Sequence, residues 1–349
     1  MLPLYLAAFI VACAGSFSAT PLSIWLARKW NVLDKPDPRK VHSMPIPRWG
    51  GLGIYIGVLL GVLGVYAGFP RFRQLLEFRQ SIYDHGRLID IISIDKQLAG
   101  ILVGLTFVVV LGMSDDRKPV PAPIKLPLQI IAAFMAMNYG VQIAGLELPF
   151  LGHYVHFPIF LSQVFTVFWI IGFMNALNLA DGLDGLAAGL AAIASATFLA
   201  VSIIQSSTET TFIAKQLKLA GVLSAILAGS CFGFLPYNFS PASVFMGDGG
   251  ALGIGFLLGA ITVIGTLKTT AVLSIMIPII VVGLPVLDVG LAMIRRYKKK
   301  SRIMEPDREH LHHRLLNRGW TAREVVLLVY VLTLILSVSA IFLAIVKES

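Results

Sequence analysis

The stretch NALNLADGLDGLAAG at 175–189 sets Asn175, Asn178, Asp181 and Asp184 three positions apart, between the apolar runs VFWIIGFM and LAAGLAAIASATFLAV. Residues three apart on an α-helix lie about 60° apart around its axis, so Asn178 and Asp181 share a face. A glycine follows each aspartate, which favours a backbone break at the end of an apolar segment. Capping the next helix would account for one aspartate at its free N–H groups. It leaves the second aspartate and both asparagines without a task, so a functional role is the stronger reading.

Three further segments carry comparable chemistry. SDDRKPVPAPIK at 114–125 opens on Asp115 and Asp116. Adjacent carboxylates suit a hard cation such as Mg²⁺, which takes one or two protein carboxylates and completes its shell with substrate phosphates. One of the pair serving as a base, or a solvated turn set by Pro119, Pro121 and Pro123, fits as well. PYNFSPASVFMGDGGALG at 236–253 places Asp248 in a glycine cluster. A dinucleotide fingerprint is excluded there, because no strand precedes it and no βαβ unit surrounds it. A metal-ligand Asp, glycines that let backbone approach a phosphate, and a plain turn all remain open. RRYKKKSRIMEPDREHLHHRLLNRGWTAR at 295–323 begins as a basic membrane anchor and ends in Arg308, His310, His312, His313 and Arg314. Zinc is disfavoured there, since no Cys accompanies the His and the neighbours are cationic. Arg and His beside a carboxylate–Mg²⁺ centre suit a polyanion, such as a diphosphate. The segment DKPDPRKVHSMPIPRWGG adds His42 and Arg48, or is simply a Pro-rich connector.

These residues are embedded in a very apolar chain. Of the 349 residues 56% are hydrophobic and 13% charged, and the mean hydropathy is +0.81; a soluble domain carries roughly twice that charge. Apolar runs near the ~20 residues that cross a bilayer predict ten spans: 3–26, 51–69, 97–113, 126–144, 158–177, 185–205, 217–235, 250–266, 271–294 and 324–346. The expected fold is an all-α polytopic membrane protein, one integral membrane domain over 1–349. The first span is not expected to be a cleaved signal, because its first basic residue, Arg28, follows the apolar stretch. Cys13 and Cys231, each inside a span, read as small buried hydrophobes. Asp288, within the ninth span, reads as a structural pairing before a catalytic one.

Ten spans put both termini on one side. The loops 27–50, 114–125, 178–184, 236–249 and 295–323 then share the other side and hold 19 of the 28 Lys and Arg. By the positive-inside rule these five loops are cytoplasmic and both termini lie outside. Ten of the 19 carboxylates and four of the seven His fall on that same face. Asp clusters for Mg²⁺, cations for phosphates and a membrane-embedded site together suggest phosphoryl transfer between a soluble charged substrate and a lipid. That reaction needs charge neutralisation and in-line positioning more than covalent help. Nothing suggests nucleic acid as a partner.

Read in order, KVHSMPIPRWGG, the Asp pair with the following KLPLQ, NALNLADGLDGLAAG, PASVFMGDGG and PDREHLHHRL resemble the polyprenyl-phosphate N-acetylhexosamine-1-phosphate transferase family (glycosyltransferase family 4). The resemblance runs from about residue 34 to 316. Each motif is moderately specific; five in order are highly so. It implies transfer of an amino-sugar 1-phosphate from a UDP-sugar donor to undecaprenyl phosphate in the bacterial inner membrane, with release of UMP. Mg²⁺ would be the cofactor, with Mn²⁺ as a substitute; membrane lipid is a further partner and a homodimer is left open. Position by position, Asp248 matches a metal ligand and Asn178 a second one. Asp115 matches the base for the lipid phosphate, with Asp116 beside it, and Asp181 and Asp184 join them as catalytic candidates. Lys125 matches a basic residue near the lipid phosphate and Phe245 an aromatic that stacks on uracil. Asn175, Arg48 and His42 join the substrate-binding candidates, and the HLHH stretch falls where the family reads sugar and diphosphate.

One position departs from the pattern: a third Asp often follows the pair, and here Pro119 stands in its place. HLHH after PDRE and a dense basic run is more similar to the N-acetylglucosamine-1-phosphate branch, which starts lipopolysaccharide, teichoic acid or other envelope glycans, than to the muramyl-pentapeptide branch. A secondary transporter would place its acids near the midplane and show repeats. A CDP-alcohol phosphatidyltransferase would carry charges along the helix after its first DG, where this chain continues LAAGLAAIASATFLA.

Overall fold

The structure is a computed structural model that describes residues 1–36, 44–84, 87–148, 153–208, 212–265, 315 and 319–348. His42, Arg308, His310, His312, His313, Arg314, Asp288 and the ninth expected span lie outside the described residues. Among those described, eight helices are long and apolar enough to cross a membrane. They are α1 (Leu2–Lys29), α2 (Gly50–Gly68), α4 (Ile94–Arg117), α6 (Ile159–Ala180), α7 (Leu186–Thr208), α8 (Phe212–Asn238), α9 (Gly247–Ile264) and α10 (Ala322–Glu348). Two shorter helices, α3 (Pro70–Leu76) and α5 (Ala122–Met137), complete the set. The all-α expectation holds. Among the described residues three short antiparallel hairpins interrupt it: β1–β2 (Leu33–Asp34, Ile46–Pro47), β3–β4 (Arg79–Asp84, Arg87–Ser93) and β5–β6 (Gly145–Leu148, His153–His156).

The fourth expected span, 126–144, is instead the 16-residue α5, which starts at Ala122. At 1.5 Å per residue it is about 24 Å long, short of a ~30 Å hydrocarbon core. The expected loop at 114–125 shrinks to 118–121. Polar residues do not end a helix that has left the apolar layer; Pro119 does, by forcing Lys118 into an extended conformation. Asn175 and Asn178 are likewise helical, in the last turns of α6, which leaves 181–185 as the connection to α7.

Helices with lipid on one side and protein on the other have no polar face, so small residues decide which sides meet. Along α8, Gly221, Ala225, Gly229 and Gly233 recur every four residues. A side chain at Gly229 or Gly233 would strike the α1 carbonyls of Phe9 and Cys13, which shows how closely the two backbones approach. Cys231 of α8 is buried and, like Cys13, is a free thiol. At the centre is α9, buried along almost its whole length between α4 and α6, with α2 and α8 against it. Gly255 lets α9 lie on the α6 backbone at Phe173 and Met174, and Trp169 Nε1 donates across that contact to Thr262 Oγ1 at 2.8 Å. Where α10 begins, Thr321 and Glu324 form a reciprocal capping box.

Candidate functional site

Four connections converge at the end of the bundle where α9 begins. The stretch from Pro47 to Gly51 runs alongside Phe245 and Met246, through Phe245 N–H to Pro47 O (2.8 Å), Gly50 N–H to Phe245 O (2.9 Å) and Gly51 N–H to Met246 O (2.8 Å). No Cβ fits between Gly51 and the backbone of Gly250, nor between Gly112 of α4 and the backbone of Asp248 and Gly249. The glycines around Asp248 are therefore used to bring α2, α4 and α9 into backbone contact. Gly247 adds a turn with φ +71°, open to few other residues.

That contact sets the acids. Asp115 and Asp116 occupy the last turn of α4 and face different partners. Asp116 has a fully buried side chain; its Oδ1 accepts Asp248 N–H at 3.0 Å and its Oδ2 accepts Gly249 N–H at 3.3 Å. These are among the free donors of the α9 N-terminus, so Asp116 caps that helix and fixes the backbone of Asp248. Arg48 Nε lies 3.6 Å from Asp116 and its guanidinium 3.7 Å from Asp34. Arg48 thus ties the β1–β2 hairpin to the cap.

Asp115 belongs to the more open side of the cluster. Its Oδ1 accepts Val120 N–H, and its Oδ2 accepts from Lys125 Nζ at 2.9 Å. The same ammonium donates to Asp248 Oδ2. Lys125 comes from the first turn of α5, so α4, α5 and α9 each supply one member of this triad. All three side chains are largely shielded from solvent. Asp181 stands next to the group. Burial, then the Asp116 and Asp248 carboxylates, push its carboxyl up to about 7, against an opposing pull from Arg48. Four carboxylates thus crowd around Lys125 and Arg48.

Other candidates have structural partners. Asp184 Oδ2 accepts Ala242 N–H at 3.0 Å, fastening the 181–185 turn to the link that carries Phe245. Asn175 Nδ2 donates to Gln129 Oε1 of α5 and to Ile171 O within its own helix, both at 2.9 Å. The Asn178 side chain, half-buried three residues before Asp181, makes no hydrogen bond with a described residue. The sequence reading overlooked Asn238, which is buried and bridges Gly185 N–H (3.1 Å) to Val244 O (3.0 Å). Its place in PYNFS, inside a segment already singled out, was the available signal.

Among the described residues no three acidic, His or Cys side chains form a ready-made metal cage. The donor chemistry is nonetheless that of a hard cation. Asp115, Asp181 and Asp248 offer only oxygen, Asn178 adds an amide oxygen, and negative charge exceeds positive. Mg²⁺ takes one or two protein carboxylates and keeps its other positions for water and phosphate, so these residues fit it.

Comparison with known proteins finds relatives that align with most of the chain. A sequence model described as Glycosyl transferase family 4 matches residues 98–266. The chain is 37% identical over 338 residues to a Bacillus subtilis protein named "Probable undecaprenyl-phosphate N-acetylglucosaminyl 1-phosphate transferase", covering 96% of this chain and 84% of that one. It is 34% identical over 337 residues to the decaprenyl-phosphate N-acetylglucosaminephosphotransferase of Mycobacterium leprae, covering 92% and 79%. With the undecaprenyl-phosphate alpha-N-acetylglucosaminyl 1-phosphate transferase of Escherichia coli K12 it shares 28% over 313 residues, covering 87% and 74%.

Proposed function

The chain belongs to glycosyl transferase family 4, and on that premise we propose that it transfers N-acetylglucosamine 1-phosphate from UDP-N-acetylglucosamine to a polyprenyl phosphate, releasing UMP. The observation that carries the reading is Lys125, held between Asp115 and Asp248 with Asp116 and Asp181 alongside, at one end of an apolar bundle. The names of three relatives support the same acceptor class and sugar.

An oxygen of the lipid phosphate attacks the sugar-bearing phosphorus of the donor. The phosphoanhydride bond to UMP breaks, UMP departs, and a lipid-linked diphosphate sugar remains. Asp115 takes the proton of the lipid phosphate at the carboxylate now held by Lys125. The Lys125 ammonium then shifts from carboxylate to phosphate oxygen, neutralising charge in a shielded site where such contacts are strong. Asp248 and Asn178, with Asp181 beside them, would hold Mg²⁺. When bound, that ion would neutralise the donor diphosphate and stabilise the leaving oxygen. Asp116 and Arg48 act indirectly, by fixing the backbone of Asp248. Phe245 is the proposed contact for uracil. The excess of Lys and Arg in the loops expected on this side of the membrane supports a cytoplasmic location for the site by the positive-inside rule.

The test is UMP release from detergent-purified protein with undecaprenyl phosphate and Mg²⁺, comparing UDP-GlcNAc, UDP-GalNAc and UDP-MurNAc-pentapeptide, with EDTA as control. Release with UDP-GlcNAc alone, abolished by EDTA, is the expected result. Silence with all three donors from folded protein would sink the proposal.

A further inference from the structure

The last helix reaches back over the 181–185 turn and the link that precedes α9. Tyr330 of α10 points its hydroxyl at Gly185 O, the carbonyl that also accepts Gly189 N–H at 2.9 Å in the first turn of α7. A carbonyl has two lone pairs, so the bond adds to the helix ladder without displacing it. The tyrosine ring occupies the space a side chain at Gly189 would take: a Cβ there would overlap its Cε1, Cζ and hydroxyl. Seven residues earlier on α10, Arg323 Nε donates to Ser240 O at 2.7 Å, in the link that carries Phe245. The two connections are also fastened to each other through Asp184 to Ala242 and Asn238 to Gly185. Gly185 lies four residues after Asp181 and has φ +82°, a conformation with few alternatives once held.

A tyrosine at this depth needs a polar partner for its hydroxyl, and simple satisfaction of that need is the bland explanation. It does not account for the empty Gly189 face that admits the ring, nor for the second α10 contact on the neighbouring link. We propose that Tyr330 is a positioning residue: through Gly185 it sets the 181–185 turn, and hence Asp181, relative to Asp248. The effect on catalysis rests on the transferase reading above; the effect on the turn does not.

Full-length protein in detergent tests this with Tyr330→Phe, Gly189→Ala and the double variant. Tyr330→Phe keeps the ring and its packing and removes only the hydroxyl. The expected result is faster amide hydrogen exchange in peptides spanning 181–189, unchanged exchange in α8, and an unchanged melting temperature. UMP release should show kcat reduced about tenfold, in the range that sub-ångström misplacement produces, with KM for polyprenyl phosphate unaltered. Gly189→Ala should produce the same pattern by displacing the ring, and the double variant should be no worse than the more impaired single one. Unchanged exchange at 181–189 in Tyr330→Phe would overturn the proposal. So would a loss of melting temperature and yield with full kcat in the folded fraction, which would make the contact merely structural. If wild type releases no UMP, the transferase reading fails, while the exchange measurement still decides whether Tyr330 holds the turn.

Discussion

Two ion pairs sit at opposite ends of α4. At its start Arg79 and Asp95 lie 4.0 Å apart, with side chains 67% and 46% exposed. At its end Lys125 and Asp115 lie 2.9 Å apart, with 17% and 13% exposed, and the lysine is shared with Asp248. The first pair keeps its water, and an exposed pair contributes about 0–1 kcal/mol. The second has lost much of its hydration, and removing one partner from such a group leaves an uncompensated charge at a cost of about 3–5 kcal/mol. A fold that needed only stability could fill that space with apolar side chains. Keeping charge where water is scarce marks the α9 end of the bundle as the place where charge is used.

Substitutions at the shielded end should have the largest effects. In a purified, folded Asp248→Asn or Lys125→Met variant, UMP release should fall by at least about 10²–10³-fold, the range for loss of a preorganised electrostatic contact. Wild-type turnover in either would remove the reason for treating the two pairs differently. An intermediate effect is expected from pH. The Asp181 carboxyl is raised to about 7 in the folded chain, so between about pH 4 and 7 the folded state binds a proton that the unfolded state has released. Stability without divalent cations should therefore fall as pH rises through that window and level off above it. Asp181→Asn never acquires the charge. It should melt higher than wild type at pH 8 and by a clearly smaller margin at pH 5, and a constant difference across both would refute the assignment. The smallest effect belongs to the exposed pair: Asp95→Asn should change stability by less than about 0.5 kcal/mol and turnover by less than twofold.

Much of this layout was legible in the residues. Runs of apolar side chains located eight membrane-length helices among the described residues, and five motifs in order pointed to the family. The same reasoning ended α4 before Asp115, because it equated the end of apolarity with the end of the helix. The structure carries α4 to Arg117 and leaves the stop to Pro119. Division of labour within the site was less visible. Asp115 and Asp116 are adjacent and chemically identical, yet one faces Lys125 and the other lies under α9. That difference follows from a 100° rotation per residue on a helix whose neighbours are distant in sequence. For the same reason nothing in the sequence around Asn175 pointed to its partner Gln129 on α5. Tyr330 carries no local signal at all, since its significance depends on a missing side chain at Gly189.

The cap on α9 has a consequence for inhibitor design. A glycine-rich helix start beside an acidic centre invites phosphate mimics, because helix N-termini attract anions. Here Asp116 already occupies the amides of Asp248 and Gly249 from within the protein. A competitor aimed at those amides would have to evict a buried carboxylate that Arg48 helps to hold. Compounds that instead engage Lys125 and the Asp115 and Asp248 carboxylates meet groups that, under the proposed function, exchange their present partners for substrate. The better pharmacophore is therefore a spaced pair of charges, a cation for the aspartates and an anion for the lysine, rather than a lone phosphate surrogate.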